Sequence, residues 1–196
     1  KQSEGKTTLT TLLAQTLSDI GQKVLVIDGD MRKPALHKAF NIDNIIGLSN
    51  LIIDSKIKFK DVVKNLSNNL DIVTAGIKPP DPILLLSSEN IKVIINELKN
   101  ESYDVILFDA PPSQGLADAQ LISELSELVL YVVNMEDTNK KQFRKTIDKF
   151  TTKSNYTLVA VSNRCKMPTL SYGDYGNNYY YSEDLYSYYE KPNNEK

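Results

Sequence analysis

Apolar positions along this chain follow two alternating spacings. Leu9, Leu12, Leu13, Leu17 and Ile20 recur at helical intervals, and Gly21 stands where such a helix would end. Val24-Leu25-Val26-Ile27 follows, an unbroken apolar run closed by Asp28, which is the pattern of a strand covered on both faces. The same form recurs at 105–108 before Asp109, at 128–133 and at 157–161, with a shorter candidate at 70–73. Helical spacing fills the intervals at 88–99, 116–125 and 140–152. Strands alternating with helices predict an α/β fold, a mostly parallel sheet flanked by helices on both faces. Ligands in such folds bind beyond the C-terminal ends of the strands. Asp28 and Asp109 occupy such ends, and Gly5-Lys6-Thr7 is expected at a third.

The pattern stops near Pro168. The remaining chain reads PTLSYGDYGNNYYYSEDLYSYYEKPNNEK, where Asn, Gly, Ser and acidic residues replace the apolar repeat. Of the 11 tyrosines, Tyr172, Tyr175, Tyr179, Tyr180, Tyr181, Tyr186, Tyr188 and Tyr189 lie here. This composition predicts a flexible tyrosine-rich tail at 168–196, after a folded domain at 1–167.

Composition narrows the field further. A chain of 196 residues suffices for one α/β domain with its own core. The formal net charge of −2 offers no polyanion-binding surface, so no nucleic-acid partner is expected. Cys165 and His37 are the single cysteine and histidine, which excludes an internal disulfide framework and a cysteine/histidine zinc site. The cysteine usage suits a reducing cytoplasm. No apolar run approaches the roughly 20 residues that span a bilayer.

Three short stretches carry chemistry. The first is Glu4-Gly5-Lys6-Thr7-Thr8, set before a helix and a buried strand, the context of a phosphate-binding loop. Gly5 lets backbone N–H groups turn toward phosphates, Lys6 reaches their oxygens, and the Thr7 hydroxyl is a natural Mg²⁺ ligand. The motif G-x-x-x-x-G-K-[ST] would put its first glycine one residue before Lys1. Either the motif is a variant, or the sequence is cut just upstream; the resemblance drawn below implies the latter, with the strand that feeds the loop lying upstream. The second stretch is Asp28-Gly29-Asp30-Met31-Arg32. Two carboxylates at a strand end can share a hydrated Mg²⁺, and one can accept a proton from a hydroxyl. Arg32 pairs either with a phosphate or with an acidic neighbour. The third is the run at 105–108 followed by Asp109-Ala110-Pro111-Pro112, a Walker B strand with its acid near Mg²⁺. Asn163-Arg164, ending the last strand, are set either to contact an adenine base or to serve as ordinary loop residues. The tail tyrosines are either a sticky aromatic linker or, beside a phosphoryl-transfer site, candidate acceptors, each phosphate adding about −1.5 to −2 charge.

These residues resemble the bacterial tyrosine kinases (BY-kinases) of capsular and exopolysaccharide synthesis, P-loop proteins of the deviant Walker A group. Glu4-Gly5-Lys6-Thr7 resembles the end of Walker A. VLVIDGDMR, ending at Arg32, resembles the family's second motif, A′, and 103–112 resembles Walker B, with Asp118-Ala119 following. The resemblance implies ATP and Mg²⁺ as cofactors and γ-phosphoryl transfer to tyrosine. It makes Lys6, Asp28 and Asp30 the catalytic set, with Asp28 the base. Nucleotide would be held by Glu4, Gly5, Lys6, Thr7, Thr8, Asn163 and Arg164, and metal by Thr7, Asp30 and Asp109. Phosphate would go onto Tyr179, Tyr180, Tyr181, Tyr186, Tyr188 and Tyr189. The implied partners are a membrane-spanning polysaccharide co-polymerase or activator, a homo-oligomeric ring formed by tail exchange, protein substrates with tyrosine, and a cognate phosphatase. The implied place is the cytoplasm, at the inner membrane face through the activator.

The sequence departs from the family pattern in places. Gln2-Ser3 replaces Pro-Gly before the loop, and Ile83-Leu84-Leu85 lacks the glutamate usual after the Pro-rich stretch at 76–82. Two other readings share the motifs. One is a partition- or septum-positioning ATPase switch, with Lys1 as its extra lysine. The other is an inactive polysaccharide regulator. Asp30, Arg32 and the tyrosine tail argue against the switch.

Overall fold

Residues 4–113, 117–151 and 155–165 are described by the computed structural model. Their order is α1 (Lys6–Asp19), β1 (Val24–Asp28), α2 (Leu36–Ala39), α3 (Leu48–Ile53), α4 (Phe59–Val62), β2 (Val63–Ser67), β3 (Leu70–Val73), α5 (Pro82–Leu86), α6 (Glu89–Lys99), β4 (Val105–Asp109), α7 (Asp118–Glu124), β5 (Leu128–Asn134), α8 (Lys140–Thr151) and β6 (Thr157–Asn163). Each strand expected from an apolar run is present, as are the long helices. The tyrosine tail at 168–196 lies outside the described residues.

β1 organises the molecule. All five of its residues are buried, as an unbroken apolar run demands. It pairs in parallel with β3 on one side and β4 on the other, inside a sheet of order β2-β3-β1-β4. Leu25 and Ile27 pack on one face with Leu48, Ile52, Ile91, Ile95 and Ile122. Val24 and Val26 pack on the opposite face with Ala14, Leu36 and Ile72. Helices therefore cover both faces of β1, and each fully buried aliphatic side chain contributes about 1.5–3 kcal/mol.

The pairing is mostly parallel with helices on both faces, as the alternation predicts, and two further features lie beyond that expectation. β2 is an additional edge strand, antiparallel to β3 with a register shift between Asn65 and Ser67. Its sequence, VKNLS, holds no apolar run, because only part of an edge strand meets the core. The second feature is that β5 and β6 form a separate parallel pair. Tyr131 of β5 packs against Phe143 and Phe150 of α8, with ring centroids 5.9 and 6.3 Å apart. Among the described residues no strand joins β4 to β5. A cavity of about 540 Å³ lies there, lined by Leu9 and Leu13 of α1, Phe108 of β4, Leu125, and Leu130 and Val132 of β5. This open edge leaves four of the five β4 residues only partly buried, although their sequence is that of a covered strand. No helix among the described residues is long and apolar enough to cross a membrane.

Candidate nucleotide and metal site

The loop before α1 turns at Gly5, whose φ of 87° lies in the left-handed region that favours glycine. The Gly5 carbonyl accepts the first helical bond from Leu9 N–H at 2.9 Å. The other N–H groups of this first turn are the donors a helix start leaves for an anion. Lys6 begins the helix with its Nζ 3.5 Å from Glu4 Oε2, and Glu4 is buried. Thr7 follows, while Thr8 points outward and is exposed.

The Thr7 hydroxyl donates to Asp109 Oδ2 at 2.6 Å, and Thr10 approaches Oδ1 at 3.5 Å. This places the last residue of β4 directly beneath the loop. Asp109 is 3% exposed, and burial pushes its carboxyl above the usual range, against the opposing Thr7 hydrogen bond and Lys6 charge. Asp109 also pairs in register with Asp28 at the last rung between β4 and β1. Gly29 N–H donates to the Asp109 carbonyl at 2.9 Å. A side chain at position 29 would meet Ile122 Cδ1 at 2.7 Å and that same carbonyl at 3.3 Å, so a larger residue there must turn Ile122 aside and press on the approach of the two strand ends.

Asp28 is fully buried, and both of its oxygens are engaged. Oδ1 accepts from Asp30 N–H at 3.1 Å, and Oδ2 accepts from Ala35 and Leu36 N–H at 3.1 and 3.0 Å. Its carboxyl is pushed up to about 7, chiefly by burial and further by Asp109, with the three backbone donors pulling the other way. Asp30 is half-buried, and its Oδ1 accepts from Arg32 and Lys33 N–H at 3.2 and 2.9 Å. The sequence left Arg32 between phosphate and an acidic neighbour. Here its guanidinium grips Asp118, with Nε 3.3 and 3.2 Å from the two carboxylate oxygens and Nη2 3.2 Å from Oδ1.

Asn163, at the end of β6, donates from Nδ2 to the Glu4 carbonyl at 2.8 Å, and its Oδ1 accepts from Arg164 N–H at 2.9 Å. Its amide thus holds the loop backbone, while Arg164 is exposed. His37 and Cys165 stand apart from these contacts, His37 half-buried and Cys165 exposed. The sequence did not signal the Asn163 clamp, because it joins residues by three-dimensional closure. For Arg32–Asp118 the charges were visible and the pairing was not.

The donor set suits Mg²⁺. A threonine hydroxyl and aspartate carboxylates are hard oxygen ligands, and this ion is commonly held by one or two protein groups plus substrate phosphates and water. Among the described residues no group of three or more His, Cys, Asp and Glu forms a self-sufficient metal cage.

A glycine-turned loop at a helix start, a lysine, and a threonine bonded to a strand-end carboxylate define a P-loop nucleotide-binding domain. A family model described as an AAA domain matches residues 1–160. The putative tyrosine-protein kinase CapB of Staphylococcus aureus is 40% identical over 185 residues, covering 94% of this chain and 78% of the relative. The solved chimerical protein CapA2B2 is 32% identical with a TM-score of 0.71, covering 85% of this chain and 74% of that one. The kinase domain of the Escherichia coli tyrosine kinase ETK is 27% identical with a TM-score of 0.78, covering 91% and 70%. The chain belongs to the bacterial tyrosine-protein kinase family.

Proposed function

We propose that this chain is an ATP-dependent protein-tyrosine kinase that autophosphorylates its C-terminal tyrosine cluster in trans and thereby regulates the polymerisation and export of a capsular polysaccharide or exopolysaccharide. The observation that carries the reading is the convergence of Thr7, Asp109 and the Asp28–Asp30 loop at adjacent strand ends, beneath a phosphate-binding turn. The tail supplies acceptors within the same chain: Tyr179, Tyr180, Tyr181, Tyr186, Tyr188 and Tyr189.

In this reading Gly5 N–H and its helical neighbours bind the phosphates, and Lys6 neutralises their charge. Thr7, Asp30 and Asp109 hold Mg²⁺, directly or through water, and the ion offsets charge on the phosphate oxygens when bound. The tyrosine oxygen forms a bond to the γ-phosphorus as the bond to the ADP oxygen breaks, with the electron pair leaving on ADP. The phenolic proton goes to Asp28, whose raised proton affinity suits that task near neutral pH. Most of the acceleration comes from alignment and charge stabilisation. Asn163 serves the nucleotide by fixing the loop, and Arg164 stands at the rim of the same strand end. The chain operates in the cytoplasm, at the membrane's inner face, through a membrane-spanning activator. Tail exchange links copies into a ring, and a phosphatase resets them. The likeness to CapA2B2 supports the activator.

The test is phosphotyrosine mass spectrometry on protein expressed with an activator segment and Mg·ATP, beside Lys6→Met and Asp28→Asn. Phosphate on Tyr179–Tyr189, lost in both variants, is expected. ATP turnover with an unmodified tail refutes the kinase reading in favour of an ATPase switch. Nucleotide binding without turnover refutes it in favour of an inactive regulator.

A further inference from the structure

Arg32 joins two parts of the site at once. Its backbone N–H bonds Asp30 Oδ1 at 3.2 Å, and its side chain makes the three-contact bridge to Asp118 at the start of α7. Asp118 is 1% exposed, whereas the Arg32 side chain is 35% exposed. The buried partner is therefore the fixed point, and the arginine is what it fixes. α7 follows the segment that leaves Asp109, and its Ile122 sits against Gly29, whose N–H bonds the Asp109 carbonyl. The Asp30 loop is thus attached to the Asp109 side of the site twice, once through Gly29 and once through the ion pair. The Gly29 attachment sets how near the strand ends lie. The ion pair holds the far side of the loop, beyond Asp30, whose Oδ1 bonds the Arg32 N–H.

We propose that Asp118 is a positioning residue that acts through Arg32 to fix Asp30 relative to Asp109, and so sets the Mg²⁺ dependence of nucleotide binding. This rests on the metal–nucleotide part of the function proposed above and does not require tyrosine to be the acceptor. A bidentate arginine–carboxylate pair has the planar geometry needed for such an orienting task, which a lysine cannot reproduce. Groups that orient a metal ligand change metal affinity without touching the ion.

The test is calorimetric binding of ADP to the full chain across a Mg²⁺ titration and in EDTA. The proteins are wild type, Asp118→Asn, Arg32→Lys and the double variant Arg32→Gln/Asp118→Asn. In Asp118→Asn the half-saturating Mg²⁺ concentration is expected to rise roughly 10–100-fold, while ADP affinity in EDTA is unchanged. Arg32→Lys is expected to fall between the two. The double variant leaves no charge buried without a partner, so its thermal midpoint should return toward wild type while its Mg²⁺ dependence stays weakened. An unchanged Mg²⁺ dependence in folded variants overturns the proposal. So does an equal loss of ADP affinity with and without Mg²⁺, which marks a merely structural pair. Tyrosine phosphorylation of the wild type is scored separately. Its absence overturns the kinase reading, and the Mg²⁺ titration still decides the role of Asp118.

Discussion

Replacing Asp28 with asparagine tests how a buried acid is maintained at this site. The Asp28 carboxyl is pushed from 3.8 to about 7 in the folded protein. Between those values the folded chain holds a proton that the unfolded chain has released. Stability therefore falls as pH rises from about 4 to about 7 and is level above that. At 1.36 kcal/mol per pH unit the cost at pH 8 approaches about 4 kcal/mol. Asparagine has nearly the same shape and no charge at any pH, but its amide nitrogen cannot accept from the backbone N–H groups that both Asp28 oxygens serve, a loss that does not vary with pH. The variant's midpoint relative to wild type should therefore rise between pH 5 and pH 8, by about 3 kcal/mol or roughly 5–10 °C. Unfolding is followed by circular dichroism in EDTA without nucleotide, since a bound cation would stabilise the charged form. A midpoint difference that does not change between pH 5 and pH 8 refutes the reasoning, because backbone contacts alone carry no such pH dependence.

Three other substitutions probe the same architecture. Thr7→Val removes the 2.6 Å hydrogen bond to Asp109 and should abolish Mg²⁺-stimulated ADP binding, read by calorimetry, while costing about 1–3 kcal/mol of stability. Gly29→Ala forces Ile122 aside and presses on the Asp109 carbonyl. A loss of about 1–3 kcal/mol is expected in denaturant unfolding, partly restored by Ile122→Val. Asn163→Ala frees the Glu4 carbonyl and should weaken ADP and GDP binding alike by about fivefold, the equivalent of about 1 kcal/mol. A loss confined to ADP would show base recognition instead of loop support.

Much of this site was legible because its parts are contiguous. Glycine, lysine and threonine adjoin a helix, and each acid closes an apolar run, so the order of motifs fixed their places at strand ends. The run at 24–28 announced a doubly covered strand, and β1 is fully buried. β2 was not legible, since an edge strand with polar residues carries no period of its own. Which strands become neighbours was not legible either, because local patterning does not specify pairing. At the site, the role of Asp28 in holding the loop through Ala35 and Leu36 depends on a chain reversal, and the Asn163 clamp spans nearly the whole domain. Such closures follow from packing, whereas spacing reveals only what lies nearby.

The parallel register of β1 and β4 has a consequence for which changes the chain tolerates. The two strands are tied at their start, where Lys23 N–H donates to Asp104 Oδ2 and Asp104 N–H to the Lys23 carbonyl, each at 2.8 Å. They end on the Asp28–Asp109 rung. Both run five residues, so they act as matched rulers between a fixed origin and a working tip. Exchange among aliphatic side chains leaves the tip where it is. Deleting or inserting one residue in either ruler moves its aspartate by about 3.3 Å and turns it to the opposite face of the sheet. The spelling of these strands is therefore free within apolar limits, while their count is not.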